Sequence, residues 1–378
     1  MRKSNCICFS LILFIVFSAA LGAAWTKKRL TINSGSSVCP AIAVCGSKIY
    51  VVWHDATPGN CEIYFKKSAD GGATWQTNQR LTNNAGQSVT PDIAVDGSTV
   101  YVAWSDNTPG NYDIYFKKST DGGATWNDAI KLTNNSGDSN DPKIVISGTH
   151  TCVVWSDDTP GNNRVYFVRS ADSGATWQSA QKLTNDADDS AGPNIAAYGS
   201  NLYMVWFDLY SANDDIYFRK STDSGATWQS EQRLTENGAH SWHPSIAVGG
   251  SLSTKLYTVW RNKSSVSDEL FFRRSTNSGA SWKTQKQISD NAHFPEKPYI
   301  AARGANVYVV WNEQKNGVPD IFFMKSDDAG VTWQSSQNIS NNAGVSYRPR
   351  IAINATNVYV VWDDGSGNHE IYIAYSPL

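Results

Sequence analysis

A hydrophobic tripeptide ending in tryptophan returns seven times along this chain. It reads VVW at Trp53, VAW at Trp104, VVW at Trp155, MVW at Trp206, TVW at Trp260, VVW at Trp311 and VVW at Trp362. Successive tryptophans are 51 residues apart, with one step of 54 between Trp206 and Trp260. A period near 50 residues is that of a propeller blade, a unit too small to bury its own apolar faces without neighbours. For a chain of 378 residues, this overrides the ordinary expectation of two or three separate domains.

Each unit carries four strand signals, rich in β-branched and aromatic residues and separated by clusters of Gly, Asn, Asp or Pro. Strand A is the P-x-I-A-V segment (Pro91–Val95), strand B the Y-V-x-W segment (Tyr101–Trp104) and strand C the I-Y-F segment (Ile114–Lys118). Strand D runs from the next tryptophan to L-T (Trp126–Thr133). No segment sustains a helical period, so helix should be nearly absent. The ends set the count: Trp25–Thr31 reads as a strand D with no blade before it, and Ile371–Ser376 as a strand C with no strand D after it. The expectation is an all-β, seven-bladed β-propeller of four antiparallel strands per blade, the last blade closed by the N-terminal strand. Blades fall at about 38–82, 89–133, 140–184, 191–235, 242–289, 296–340, and 347–376 with 25–31. Closure of this kind removes two exposed sheet edges.

Before the first repeat stand Arg2 and Lys3, an apolar run from Phe9 to Phe17, and small residues up to Ala24. This has the layout of a signal peptide over residues 1–24, too short to span a bilayer comfortably, so residues 25–378 should be a secreted, periplasmic or cell-surface propeller. Net charge is −2, which lacks the basic excess expected of a nucleic-acid or anionic-membrane binder. A monomer is expected. Beyond the leader, Cys39, Cys45, Cys61 and Cys152 show neither a disulfide framework nor metal-ligand spacing. Cys39 and Cys45 sit at opposite ends of one strand and are too far apart to pair.

Between strands C and D stand SADGGATW (Ser68–Trp75), STDGGATW (Ser119–Trp126), SADSGATW (Ser170–Trp177), STDSGATW (Ser221–Trp228), STNSGASW (Ser275–Trp282) and SDDAGVTW (Ser326–Trp333). The third position is Asp70, Asp121, Asp172, Asp223, Asn277 and Asp328. Its carboxylate can accept bonds from turn N–H groups while the glycine takes positive φ and the tryptophan covers the turn. These six strings resemble the Asp-box (BNR) repeats of the sialidase-like propeller superfamily, over essentially the whole mature chain. The resemblance implies a hairpin device on the face opposite the usual ligand site, and members that include sialidases, other glycosidases, lectins and assembly factors. Fold alone does not choose among those activities.

Chemistry is therefore sought on the other face, where D-to-A and B-to-C loops meet. An acidic residue recurs two positions after the strand B tryptophan, at Asp55, Asp106, Asp157, Asp208, Glu313 and Asp364, with Asn262 in the fifth unit. Such a ring could bind calcium or polarise a glycosidic bond, but its repetition favours turn capping, and no cofactor is expected. Departures from the repeat are better guides. The later D-to-A loops read AHSWHP, AHFPEKP and GVSYRP, gathering His240, Trp242, His243, His293, Phe294, Glu296, Lys297, Tyr347 and Arg348 on adjacent blades. Arg261, Arg350 and Tyr210 lie nearby. Aromatic faces beside Arg, His and Glu suit a sugar, so the leading reading is a propeller recognising glycan or another extracellular polymer. A glycosidase using loop carboxylates and a protein-interaction scaffold are the alternatives. Sialidase activity, as the resemblance implies it, would require three arginines, a Tyr–Glu pair, an Asp acid/base and a Y/F-R-I/L-P motif near the start. The nearest string is Tyr347-Arg348-Pro349-Arg350, in the last unit and with Arg directly before Pro; sialidase domains also have six blades.

Overall fold

A computed structural model describes residues 24–378 apart from 160, 185–188, 210–212, 236–237, 250–254, 264–267, 291–293, 316 and 366. Residues 1–23 of the segment read as an export signal, together with Tyr210 and His293, lie outside the described residues. The chain forms seven four-stranded antiparallel sheets with no helix among the described residues. In six blades the strands follow chain order. In the seventh, Thr26–Arg29 forms the outer edge beside Glu370–Pro377, followed inward by Asn357–Gly365 and Val345–Ile353.

The strand B tryptophan explains the period. All seven are at most 1% exposed. Each stacks on the aromatic residue opposite it on strand C, from Trp206 on Tyr217 at 5.8 Å to Trp260 on Phe271 at 6.2 Å. The apolar core is not one mass. It forms seven clusters, each shared by two adjacent blades, including one between the last and the first (Trp53, Val51, Tyr359, Val361). A blade thus buries its faces only against neighbours, as the repeat length demanded.

Two strand boundaries differ from the sequence expectation. Strand D, expected over Trp126–Thr133, pairs as a ladder only over Ile130–Lys131; five of its counterparts are equally short, and the N-terminal one, Thr26–Arg29, has four residues. The stretch after the tryptophan touches strand C through isolated bonds, Asn127 N to Lys118 O at 3.0 Å and Leu132 N to Ile114 O at 2.7 Å. Short outer strands leave little open ladder for another chain to join. Strand A, expected from Pro91, starts at Ser88, because a β-bulge carries the pairing past the proline.

Candidate functional site

Every strand A is broken at the same place. Its pairing with strand B shifts between Val38/Ala41, Val89/Asp92, Asn140/Lys143, Ala191/Asn194, Trp242/Ser245, Glu296/Tyr299 and Tyr347/Arg350. The two residues skipped each time are X-Pro. Proline offers no N–H to the ladder, and the residue before it is barred from right-handed helix geometry, so the strand bulges there. X takes left-handed φ in all seven blades, between 47° at Lys297 and 58° at Gly192.

The seven X residues are Cys39, Thr90, Asp141, Gly192, His243, Lys297 and Arg348, and no two are alike. Together with six of their prolines they line one cavity of 260 Å³ at the centre of the ring. The framework is sevenfold, whereas its innermost side chains share no symmetry. Below them, Lys143, Asn194, Tyr299 and Arg350 also line the cavity. Arg350 lies over the Tyr299 ring with its guanidinium carbon 3.8 Å from the centroid, and the Tyr299 hydroxyl accepts a bond from Asn194 Nδ2 at 3.1 Å. Burial pushes the Tyr299 hydroxyl up to about 12.

The cavity is cationic. Lys143, Lys297, Arg348 and Arg350 line it against a single lining carboxylate, Asp141. Asp92, deeper beside Lys143 and Arg350, accepts the Ile144 N–H at 2.8 Å, and burial raises it above the usual carboxylate range. Burial, helped by Lys297 and Arg261, lowers His243 to about 4, so it adds no charge at neutral pH. Its Nδ1 is buried and has no hydrogen-bond partner within the described residues.

The sequence-selected residues divide into three groups. His243, Lys297, Arg348 and Arg350 line the cavity. His240, Trp242, Arg261 and Glu296 form a self-contained cluster. Asp214 Oδ2 accepts from the Trp242 indole N–H and lies 2.8 Å from His240 Nδ1, and the His240 ring stacks on Trp242 at 5.6 Å. Arg261 and Lys263 also lie over that indole, at 5.4 and 5.8 Å, and Arg261 is bound by Asp268 and by Glu296, the latter at 2.9 Å. Trp242 is thus already covered by protein groups rather than standing free as a sugar platform. Phe294 is 60% exposed beside strand A of the sixth blade. Tyr347 stacks on His369 at 6.4 Å.

The repeated carboxylates face their own turns. Asp55 accepts from Asn33 Nδ2, Ser37 Oγ, Trp53 Nε1 and Thr57 N, and Asp106 has the equivalent four partners. Asp-box residues do likewise in their hairpins: Asp121 accepts from Ser119 Oγ and from Thr125 N and Oγ1, and Asn277 from Ser275 Oγ and Ser281 N.

Cys39, Thr90, Asp141, Gly192, Lys143, Asp363 and His369 were not singled out from the sequence as site residues. The signal for the first four was present: the residue before the strand A proline differs in every copy.

Comparison with known proteins bears on the fold. A family model described as a BNR repeat-like domain matches residues 49–206. A sialidase of Clostridium perfringens is 28% identical over 203 residues, which are 44% of this chain and 52% of that protein; the match spans about half of the relative's length. Among solved structures, an ulvan lyase of polysaccharide lyase family PL25 superposes with a TM-score of 0.65 at 9% identity, covering 90% of this chain and 94% of that one. The phage phi92 endosialidase gives 0.58 at 11% identity, covering 94% and 69%. An α-L-arabinofuranosidase of Fusarium graminearum gives 0.57 at 15% identity, covering 77% and 93%. At such identities the likeness is one of fold.

Proposed function

For this chain, an Asp-box (BNR) repeat β-propeller of the sialidase-like superfamily, we propose a secreted or surface protein that recognises an anionic glycan at the mouth of its central channel. One observation carries this reading: four cationic side chains and one carboxylate line the cavity, all of them at the two positions flanking the strand A proline, where the seven repeats all differ. A volume of 260 Å³ lies just below the ~300–1,000 Å³ of ordinary ligand clefts, room for one sugar ring rather than a chain laid lengthwise. Carboxylate or sulfate groups would meet Arg348, Lys297 and Arg350, and ring hydroxyls would meet Thr90, Asp141 and the unpartnered nitrogen of His243. Export is supported by the charged, apolar and small-residue order of residues 1–24. The saccharide-active proteins of like fold favour a glycan over a protein partner.

Titration calorimetry with carboxylated, sulfated and neutral polysaccharides tests the proposal. The acidic polymers should bind with an affinity that falls as salt rises, and the neutral ones should not. Replacing Lys297 and Arg348 together with alanine should weaken binding at least tenfold, whereas Trp242→Ala should change it little. Equal binding of neutral and acidic polymers would defeat the anionic reading.

A further inference from the structure

The seventh blade holds an arrangement that the other blades lack. Asp363 follows the strand B tryptophan, where the other copies have His54, Ser105, Ser156, Phe207, Arg261 and Asn312. Its side chain is wholly buried and its two oxygens are divided. Oδ1 accepts from Arg348 Nε at 2.9 Å and from the Cys39 N–H at 3.3 Å, while Oδ2 faces His369 Nδ1 at 3.1 Å. One buried carboxylate therefore orients both a guanidinium and an imidazole.

What each group has left over is the useful part. Arg348 is held through Nε, so its two terminal nitrogens remain as a fork for a ligand carboxylate, and 30% of the side chain is exposed at the cavity. His369, bound to a carboxylate at Nδ1, keeps its proton there and offers the lone pair of Nε2, which has no partner among the described residues. The ring is fixed. It lies over Gly365, where an added Cβ would come within 2.6 Å of Nε2, and it stacks beside Tyr347. In the fifth-blade cluster on this face the carboxylates are engaged, Glu296 and Asp268 by Arg261 and Asp214 by His240 and Trp242.

We propose that His369, oriented by Asp363, is a catalytic base that eliminates across the glycosidic link of a 4-linked uronate whose carboxylate is held by Arg348; this rests on the anionic-glycan reading of the cavity that Arg348 lines, with His369 joined to it through Asp363 rather than lining it. Because fork and imidazole share one carboxylate, a carboxylate in the fork brings the carbon bearing it beside Nε2. Nε2 takes the proton from that carbon, C5. The C5–H electron pair becomes the C4=C5 double bond, and the C4–O bond breaks with its pair on the departing oxygen. That oxygen takes the proton of the Tyr347 hydroxyl. Proton exchange through solvent returns the imidazole and the phenol to their starting states, so no co-reactant is consumed. Arg348 stabilises the charge that builds on the carboxylate as C5 loses its proton. Asp363 is a positioning residue.

The test incubates the full chain with alginate, polygalacturonate and ulvan, following near-ultraviolet absorbance of the unsaturated product and, separately, binding by calorimetry. Absorbance should rise with at least one polymer. His369→Gln should lower the rate by a hundredfold or more with binding within twofold of wild type, and Tyr347→Phe should lower it less. Asp363→Asn should reduce kcat with KM raised as the fork loosens; should it fold poorly, His369→Gln alone decides. Binding of all three polymers without any elimination overturns the catalytic proposal and leaves recognition standing. Absence of binding overturns both.

Discussion

Asp106 shows how much structure one repeated residue supports. It is nearly fully buried and accepts from Ser88 Oγ at 2.6 Å, Asn84 Nδ2 at 2.7 Å, Thr108 N at 2.9 Å and Trp104 Nε1 at 3.3 Å. Asp106→Ala strands several of these donors, two of them buried, so the expected cost is about 2–4 kcal/mol in urea unfolding, with glycan binding unaffected because the residue does not line the cavity. The Asp-box carboxylates differ in being exposed. The Thr74 hydroxyl and amide, then the Ser68 hydroxyl, hold Asp70 down at about 2, and Thr332 with Ser326 do the same for Asp328. Their stabilisation is complete above the unfolded carboxylate value of about 3.9 and is lost as pH falls through about 2. The thermal midpoint should therefore drop between about pH 4 and pH 2, and the double variant Asp70→Asn/Asp328→Asn should show a smaller drop over that window. At this scale the sequence told repeated residues from deviant ones. It named Arg348 and His243, but passed over Asp141, Asp363 and His369. The latter two become partners only when strand pairing sets Asp363 opposite Ile371, two residues from His369.

Strands and turns were legible where their signal was local. Alternating β-branched and aromatic residues located strands B and C of the second blade to within two residues, read as Tyr101–Trp104 and Ile114–Lys118 and found as Thr99–Asp106 and Asp113–Ser119. The bulge in strand A is not legible in the sequence, where its cause, a proline inside a paired strand, looks like the strand's beginning. That bulge positions the site, turning the residue before each proline toward the channel instead of along the ladder. Two turn glycines, Gly97 between strands A and B and Gly123 in an Asp-box, make a testable contrast between conformation and contact. Gly97 and Gly123 both have positive φ, 57° and 79°, but a Cβ on Gly97 meets nothing within 4 Å, whereas one on Gly123 would lie 2.4 Å from the Phe65 ring of the preceding blade. Gly97→Ala should cost about 1 kcal/mol, the backbone term alone. Gly123→Ala should cost about 2–4 kcal/mol, since Phe65 is buried and packs edge-on against Trp126 at 5.1 Å. Chemical denaturation of the two variants measures the difference; equal losses would show that the box is a turn device only and does not join blades.

The ring as a whole depends on its N-terminal strand. Thr26–Arg29 pairs with the last strand from Thr26↔Tyr375 to Arg29↔Tyr372, and Arg29 binds Glu370 at 2.7 Å. The same segment reaches both flanking blades. Lys28 Nζ donates to Gly72 O at 2.9 Å and Ala73 O at 2.6 Å in the first Asp-box, and Trp25 Nε1 donates to Gln337 Oε1 at 3.1 Å in the sixth blade. Trp25 also meets Phe323 edge-on at 4.9 Å and 73°, the contact that Trp126 makes with Phe65 at 77°. It thus serves as the seventh Asp-box tryptophan, although no seventh motif is present in the sequence to announce it. The seven-blade count was legible because unmatched strands at the two ends complete one sheet. The lid role of Trp25 was not, because the box it completes is divided between distant parts of the chain. Trp25→Ala removes a half-buried indole between two blades and should cost about 2–3 kcal/mol, below the full core penalty. Deleting residues 24–30 goes further, for it uncovers the ladder of Glu370–Pro377 and opens the apolar cluster that Leu30 shares with Trp53 and Tyr359. The truncated chain should unfold at lower urea with a broader transition and should associate through the bare edge, seen as a shift to larger species in size-exclusion chromatography. A monomeric truncation with an unchanged midpoint would mean that contacts between blades hold the ring closed without the strand.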